Sequence, residues 1–210
     1  METLKRTTYL IILACITFLP AGRLAAQDYA ALQNAFSTSY TQETAGDYTN
    51  AISTLKKVYI ESSYELNARL GWLNYMAGLF TESTSYYSKA TTLMPYSIEA
   101  RLGYALPASA MGNWDQVINK YNEILKIDPT NYTANNRMGL IYYGKKDYAA
   151  AIKYFEKIAN MYPFDYDAIH MFAWSNYQLG KLREAKVLLN KALLIRPGDS
   201  SALEGLGLIK

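Results

Sequence analysis

Residues 131–163 read NYTANNRMGLIYYGKKDYAAAIKYFEKIANMYP, and this stretch decides the fold. Asn131, two residues after Pro129, is placed to accept hydrogen bonds from the free N–H groups that open a helix. Met138 and Gly139 set a large apolar residue beside a small one, so that a second backbone can approach closely. Asp147 reads as the cap of a following helix, and Tyr148 and Phe155 supply the large side chains that fill the space between the two. Pro163 stops that second helix, because proline has no N–H to donate and restricts the residue before it. The unit is a helix, a tight turn and an antiparallel helix.

The pattern recurs along the chain. Pro95, Pro129, Pro163 and Pro197 are each 34 residues apart. At the same step stand Leu70, Tyr104, Met138, Phe172 and Leu206, each followed by a small residue: Gly71, Ala105, Gly139, Ala173 and Gly207. Phe80, Trp114, Tyr148 and Leu182 form another large column, and so do Tyr87, Tyr121, Phe155 and Leu189. Ser83, Val117, Ala151 and Ala185 stay small or medium. Ser97, Asn131, Asp165 and Asp199 are expected to cap first helices, and Asn113 and Asp147 second helices. Gly78, Gly112 and Gly180 mark the turn within a unit, and Lys146 takes the glycine's place in the fourth.

These residues resemble the tetratricopeptide-repeat (TPR) family, most clearly through Met138-Gly139, Tyr142, Asp147-Tyr148, Ala151-Ile152, Tyr154-Phe155, Lys157 and Pro163. The resemblance covers about residues 30–210 and implies an all-α fold. That fold is a TPR solenoid of antiparallel helix pairs in a right-handed superhelix. Its units fall near 30–63, 64–97, 98–131, 132–165 and 166–199, with a capping helix over 200–210 that covers the apolar face of the fifth unit. The chain departs from the pattern in three places. In the first unit Gly46-Asp47-Tyr48 and Ala51 fit, but Thr38 and Ser39 stand where the large–small pair belongs. The first link is short, seven residues from Ser63 to Leu70 against nine from Pro95 to Tyr104. Pro107 lies inside a first helix and is expected to kink it, at a cost of ~3 kcal/mol unless packing compensates.

Residues 1–26 carry the marks of a secretory signal peptide, leaving 27–210 as the TPR domain. Lys5 and Arg6 precede an apolar run of eleven residues, Tyr9 to Leu19. Pro20 and Gly22 break it, and Leu24-Ala25-Ala26 supplies small residues before Gln27. Eleven residues cover about half of a ~30 Å hydrocarbon core, too short for a permanent span. The expected location is therefore the periplasm or the extracellular space of a bacterium. Removal of the segment lowers the net charge from +3 to about +1. Ile12-Leu13-Ala14-Cys15 offers an alternative, a lipidated Cys15 tethering the protein to an envelope membrane. Against it, Leu13 is bulky and the run stays apolar after Cys15.

Composition narrows the chemistry. The chain has 50% hydrophobic residues, one Cys, one His and twenty Tyr. That inventory excludes disulfide frameworks, Cys/His zinc sites and two-imidazole mechanisms. No cofactor or metal is implied, and a near-balanced net charge of +3 gives no electrostatic case for nucleic acid. Asp165 and Asp167 are accounted for by helix capping and the helix dipole. The lysines of the second helices alternate with acids, as on a solvated face.

What remains is contact surface. TPR geometry, carried over from the resemblance, places Tyr40, Trp72, Tyr75, Asn136, Tyr143, His170, Trp174 and Tyr177 along a groove of first helices, with Phe36, Met76, Leu106 and Leu140 near it. Such an aromatic set suits a peptide or partner protein. Aromatics at helical spacing also pack between repeats, and both readings stay open at this point. Some TPR domains clamp a C-terminal carboxylate with Lys, Asn and Arg. Here Arg69 and Arg137 stand at the clamp's depth, Gly103 lies between them and the companions are missing, so bidentate capture is disfavoured. The two arginines are expected to pair with acidic neighbours or stay solvated. The expected function is a non-catalytic protein-binding scaffold. Alternatives are a lipid-anchored envelope assembly factor and a glycan-binding uptake component that stacks a sugar on Trp72 or Trp174.

Overall fold

A computed structural model describes residues 29–209. The segment read as a signal peptide, with Cys15, lies outside the described residues. Five helix pairs follow one another: α1 (Tyr29–Thr44) with α2 (Tyr48–Lys56), α3 (Tyr64–Met76) with α4 (Phe80–Leu93), α5 (Ile98–Ala110) with α6 (Trp114–Ile127), α7 (Tyr132–Gly144) with α8 (Tyr148–Met161), and α9 (Tyr166–Gln178) with α10 (Leu182–Ile195). A single helix, α11 (Ser200–Leu208), packs on α10 and α9. No strand occurs among the described residues.

Local chemistry sets these boundaries. Ser63, Ser97, Asn131, Asp165 and Asp199 each accept a hydrogen bond from a backbone N–H in the first turn of the helix that follows. Asp147 does the same for α8 and Asp47 for α2, whereas Asn113 stands at the start of α6 without making the expected cap bond. Before each proline of the 34-residue step, the backbone leaves the helix in one repeated conformation. Met94, Asp128, Tyr162 and Arg196 lie at φ −126° to −135° and ψ 77° to 93°. Lys57, with no proline after it, stays helical, and α2 is only 9 residues long. Helix α5 runs unbroken through Pro107, which is buried, and has the same 13-residue length as α3, α7 and α9.

The mid-unit turn needs a left-handed residue, supplied by Gly46, Gly78, Gly112 and Gly180 at φ 73–77°. In the fourth unit Lys146 adopts φ 62°, the one positive-φ non-glycine among the described residues. A side chain there strains the backbone by about 1–2 kcal/mol, part of which glycine's freedom in the unfolded chain takes back. Lys146→Gly is therefore expected to stabilise the protein by about 0.5–1 kcal/mol. The measurement is urea unfolding, with a higher midpoint at unchanged slope.

The small column of the second helices lies in the core: Ser83, Val117, Ala151 and Ala185 are all buried. The Ser83 hydroxyl keeps its hydrogen bond inside the core by donating to the Gly71 carbonyl at 2.7 Å. Tyr87, Tyr121, Phe155 and Leu189 are buried as well. Trp114 and Leu182, from the other large column, are instead 47% and 40% exposed. In those two units the column faces outward.

Candidate functional site

The side built by the first helices holds two depressions. One, of about 640 Å³, is lined chiefly by Leu106 and Ser109 of α5, Trp114 and Tyr121 of α6, and Arg137, Leu140 and Ile141 of α7, with Tyr75 and Lys145 at its edge. The other, of about 580 Å³, runs past Tyr40, Trp72 and Arg69 to Glu99, Leu102, Gly103 and Arg137. Trp72, Leu106, Leu140 and Trp174 stand at one register, 34 residues apart, on α3, α5, α7 and α9. Leu106 and Leu140 are 36% and 38% exposed, apolar surface with no covering segment among the described residues.

The spacing between first helices explains where the wall opens. Each large residue of the Tyr87 column packs against the first helix of its own unit and faces that of the next. The next helix presents Gly103, Arg137, Met171 and Gly205 in turn. A Cβ at Gly103 would lie 2.2 Å from the Tyr87 ring, and one at Gly205 2.8 Å from Leu189. At those two positions α3 packs directly on α5, and α9 on α11. No comparable contact joins α5 to α7, where the column holds Arg137, or α7 to α9, where it holds Met171. Between α5 and α7 a second tie is missing as well. The Tyr64 hydroxyl meets Ser97 Oγ at 2.8 Å, Tyr132 donates to Asp165 at 2.7 Å, and Tyr166 bonds Asp199. Each of these bonds links a first helix to the cap of the next. In α5 the equivalent residue is Ile98, which has no hydroxyl to reach the cap of α7. Burial, reinforced by the adjacent carboxylate, pushes the hydroxyls of Tyr132 and Tyr166 up to about 12, so these ties persist across physiological pH.

Two aromatic clusters flank this opening. On the α1–α3 side, Arg69 is 8% exposed and pairs with Glu43 at 2.6 Å. Its guanidinium lies 3.9 Å from the Tyr40 ring centre, and Trp72 Nε1 donates to Glu43. Tyr75 packs between the rings of Trp72 and Phe80. Arg69 is thus spent inside the structure, whereas Arg137 is exposed and has no hydrogen-bond or ion-pair partner among the described residues. On the far side, Trp174 Nε1 donates to His170 Nε2 at 2.9 Å and lies 3.1 Å from Ser201 Oγ of α11. His170 stacks on Tyr166, and Tyr177 packs edge-on to Trp174.

Of the residues singled out from the sequence, Tyr40, Trp72 and Tyr75 line the depressions. Asn136, Tyr143, His170, Trp174 and Tyr177 line neither. His170 and Trp174 bond to α11, and Tyr143 packs on Tyr148 and bonds Gln178. Among the lining residues that sequence reasoning passed over are Trp114, Tyr121 and Lys145. Trp114 sits in a column read as packing, and only its exposure reveals it. Among the described residues no group of His, Cys, Asp and Glu could hold a metal, and no helix is long and apolar enough to cross a membrane.

Burial lowers the pKa of His170, with Arg196 acting in the same direction and Asp199 and Asp167 against both. The neutral ring accepts the Trp174 N–H, and a protonated ring cannot. As pH falls below about 6.5 the unfolded chain takes up this proton before the folded one does. Stability present at neutral pH is therefore lost as pH falls through the folded-state pKa. Urea midpoints between pH 7.5 and 5 are expected to decline more steeply in the natural protein than in His170→Gln, which keeps an acceptor and cannot titrate. Parallel profiles would refute this.

A family model described as tetratricopeptide repeat matches residues 105–166, and a second with the same description matches 142–207. The chain is a TPR protein. Among solved structures, a TPR protein from Parabacteroides merdae superposes with a TM-score of 0.72 at 22% identity, over 86% of this chain and 72% of that one. MamA superposes at 0.70 and 21% identity, over 80% of this chain and 92% of MamA. YrrB, described as a TPR protein with an unusual peptide-binding site, superposes at 0.67 and 13% identity, over 85% of this chain and 96% of YrrB. At these identities the likeness is one of fold. In sequence, the chain is 23% identical over 154 residues to the bovine BBSome complex member BBS4. The match takes in 72% of this TPR chain but spans only 30% of that relative's length. The TPR fold is a protein–protein interaction scaffold, and its members generally work without catalysis.

Proposed function

We propose that this TPR protein is a non-catalytic scaffold that holds a peptide or partner protein along its first helices, after export from the cytoplasm. The observation that carries the reading is the exposed apolar row of Leu106 and Leu140 beside two adjoining depressions. Burying such side chains supplies affinity, and the polar groups around them supply selectivity. YrrB, which has the same fold and is described as having a peptide-binding site, supports a peptide-binding reading here. Export rests on the charged, apolar and small-residue pattern of residues 1–26.

The test is selection of binders from a displayed peptide library, followed by measurement of their affinity for variants. Leu106→Asp with Leu140→Asp places two charges on the row without touching the buried core. It is expected to weaken the selected peptides at least tenfold while circular dichroism and the melting temperature stay unchanged. Lys153→Glu with Lys157→Glu, on α8, serves as the control and is expected to leave binding intact. Unchanged affinity in the α5–α7 variant would move the site to another face. For export, the mature N-terminus of the protein from fractionated cells is expected at Gln27. An acylated Cys15 would replace this with a tethered form.

A further inference from the structure

We infer that the depression between α5 and α7 takes an internal aspartate or glutamate of the bound segment on Arg137, beside an apolar side chain seated against Leu106, Leu140 and Trp114. The inference rests on the groove reading above and adds the chemistry of the occupant. Three arginines of the first helices, Arg69, Arg101 and Arg137, invite comparison. Arg69 is paired with Glu43 and Arg101 with Glu123 at 3.0 Å, both within the fold. Arg137 alone of the three has no such partner among the described residues, and it lines both depressions. The charged side chains lining the α5–α7 depression are Arg137 and Lys145, both positive, and no carboxylate is among them. The rest of its lining is largely apolar.

A guanidinium beside an apolar wall attracts a carboxylate more strongly once the bound segment excludes water from the pair. The neighbouring depression is less favourable to an anion. Glu65 and Glu99 line it beside Arg137, and Arg69 there is already neutralised by Glu43. An acidic residue is therefore favoured over α5–α7 and disfavoured over α3. The carboxylate is placed on a side chain rather than at a chain end for a structural reason. Holding a free terminus takes several donors converging on one carboxylate, and at Arg137's register α3 offers a spent arginine and α5 offers Gly103.

The probe is a library of random 12-residue peptides displayed between fixed flanks, so that no peptide end is free. Selection on the purified protein is expected to enrich Asp or Glu next to an aromatic or aliphatic residue. Those peptides are expected to lose at least tenfold in affinity for Arg137→Glu, and a fresh selection on that variant should favour Lys or Arg at the same place. Arg137 is exposed, so the variant is expected to keep its circular dichroism and melting temperature. Binders without acidic enrichment, or with equal affinity for Arg137→Glu, overturn the inference. If such binders still fail on Leu106→Asp with Leu140→Asp, the groove reading survives it. Binders seen only with an unflanked library and lost on C-terminal amidation also overturn it, in favour of a terminal carboxylate. A library that yields no binders at all overturns the groove reading together with the inference.

Discussion

Arg69→Ala is expected to destabilise the protein by about 3 kcal/mol, mostly at the junction of the first two units. The guanidinium is 8% exposed and meets three groups at once: the Glu43 carboxylate at 2.6 Å, the face of Tyr40 and, at 3.4 Å, the Ser39 hydroxyl. Removing it leaves Glu43 poorly hydrated, with only the Trp72 N–H to satisfy it. That residual charge, more than the lost attraction, accounts for most of the cost. Arg69→Met with Glu43→Gln removes both charges and keeps the acceptor for Trp72. It is expected to recover at least half of the loss. Urea unfolding of the two variants and the natural protein checks this, and a double variant no better than the single one would show that packing outweighs charge.

Gly103→Ala should cost about 2–3 kcal/mol, although alanine is the better helix former by about 1 kcal/mol. The added Cβ would sit 2.2 Å from a ring carbon of Tyr87, whose side chain is only 5% exposed. Neither has room to withdraw, so α3 and α5 must separate or the ring must leave the core. The same substitution made on Tyr87→Ala meets no ring and is expected to be neutral or stabilising by up to about 1 kcal/mol. Equal losses in both backgrounds would place the strain elsewhere. The comparison isolates the contact that holds the α3–α5 wall closed.

Much of the fold was legible in the sequence. Pro129, Asn131, Asp147 and Pro163 each act on backbone groups within a few residues, and the structure starts and stops α7 and α8 where they predict. Asn113 shows the limit of that reasoning: it has the right residue type in the right place, yet its side chain makes no cap bond. The candidate site was legible only in part. Tyr40, Trp72 and Tyr75 line the depressions, but Trp174 and His170 bond to α11, a helix 27 to 31 residues further on. Trp114 looked like packing because its column is large in every unit, and whether a large side chain is covered depends on its neighbours rather than on its own identity.

By itself the sequence determined the repeat, the helix pairs, their turns and most of their caps. Those follow from proline, glycine, hydroxyl and carboxyl groups acting over a few residues of chain. Only the tertiary structure decided which first helices touch and where the wall opens. Gly103 and Arg137 occupy the same column 34 residues apart, and nothing in the spacing distinguishes them. What separates the two junctions is whether the column residue leaves room for the tyrosine of the preceding second helix, a matter of contact rather than of spacing. Tyr87 packs against a glycine and draws α3 onto α5, whereas Tyr121 faces an arginine, and α7 stands off from α5 with that charge exposed.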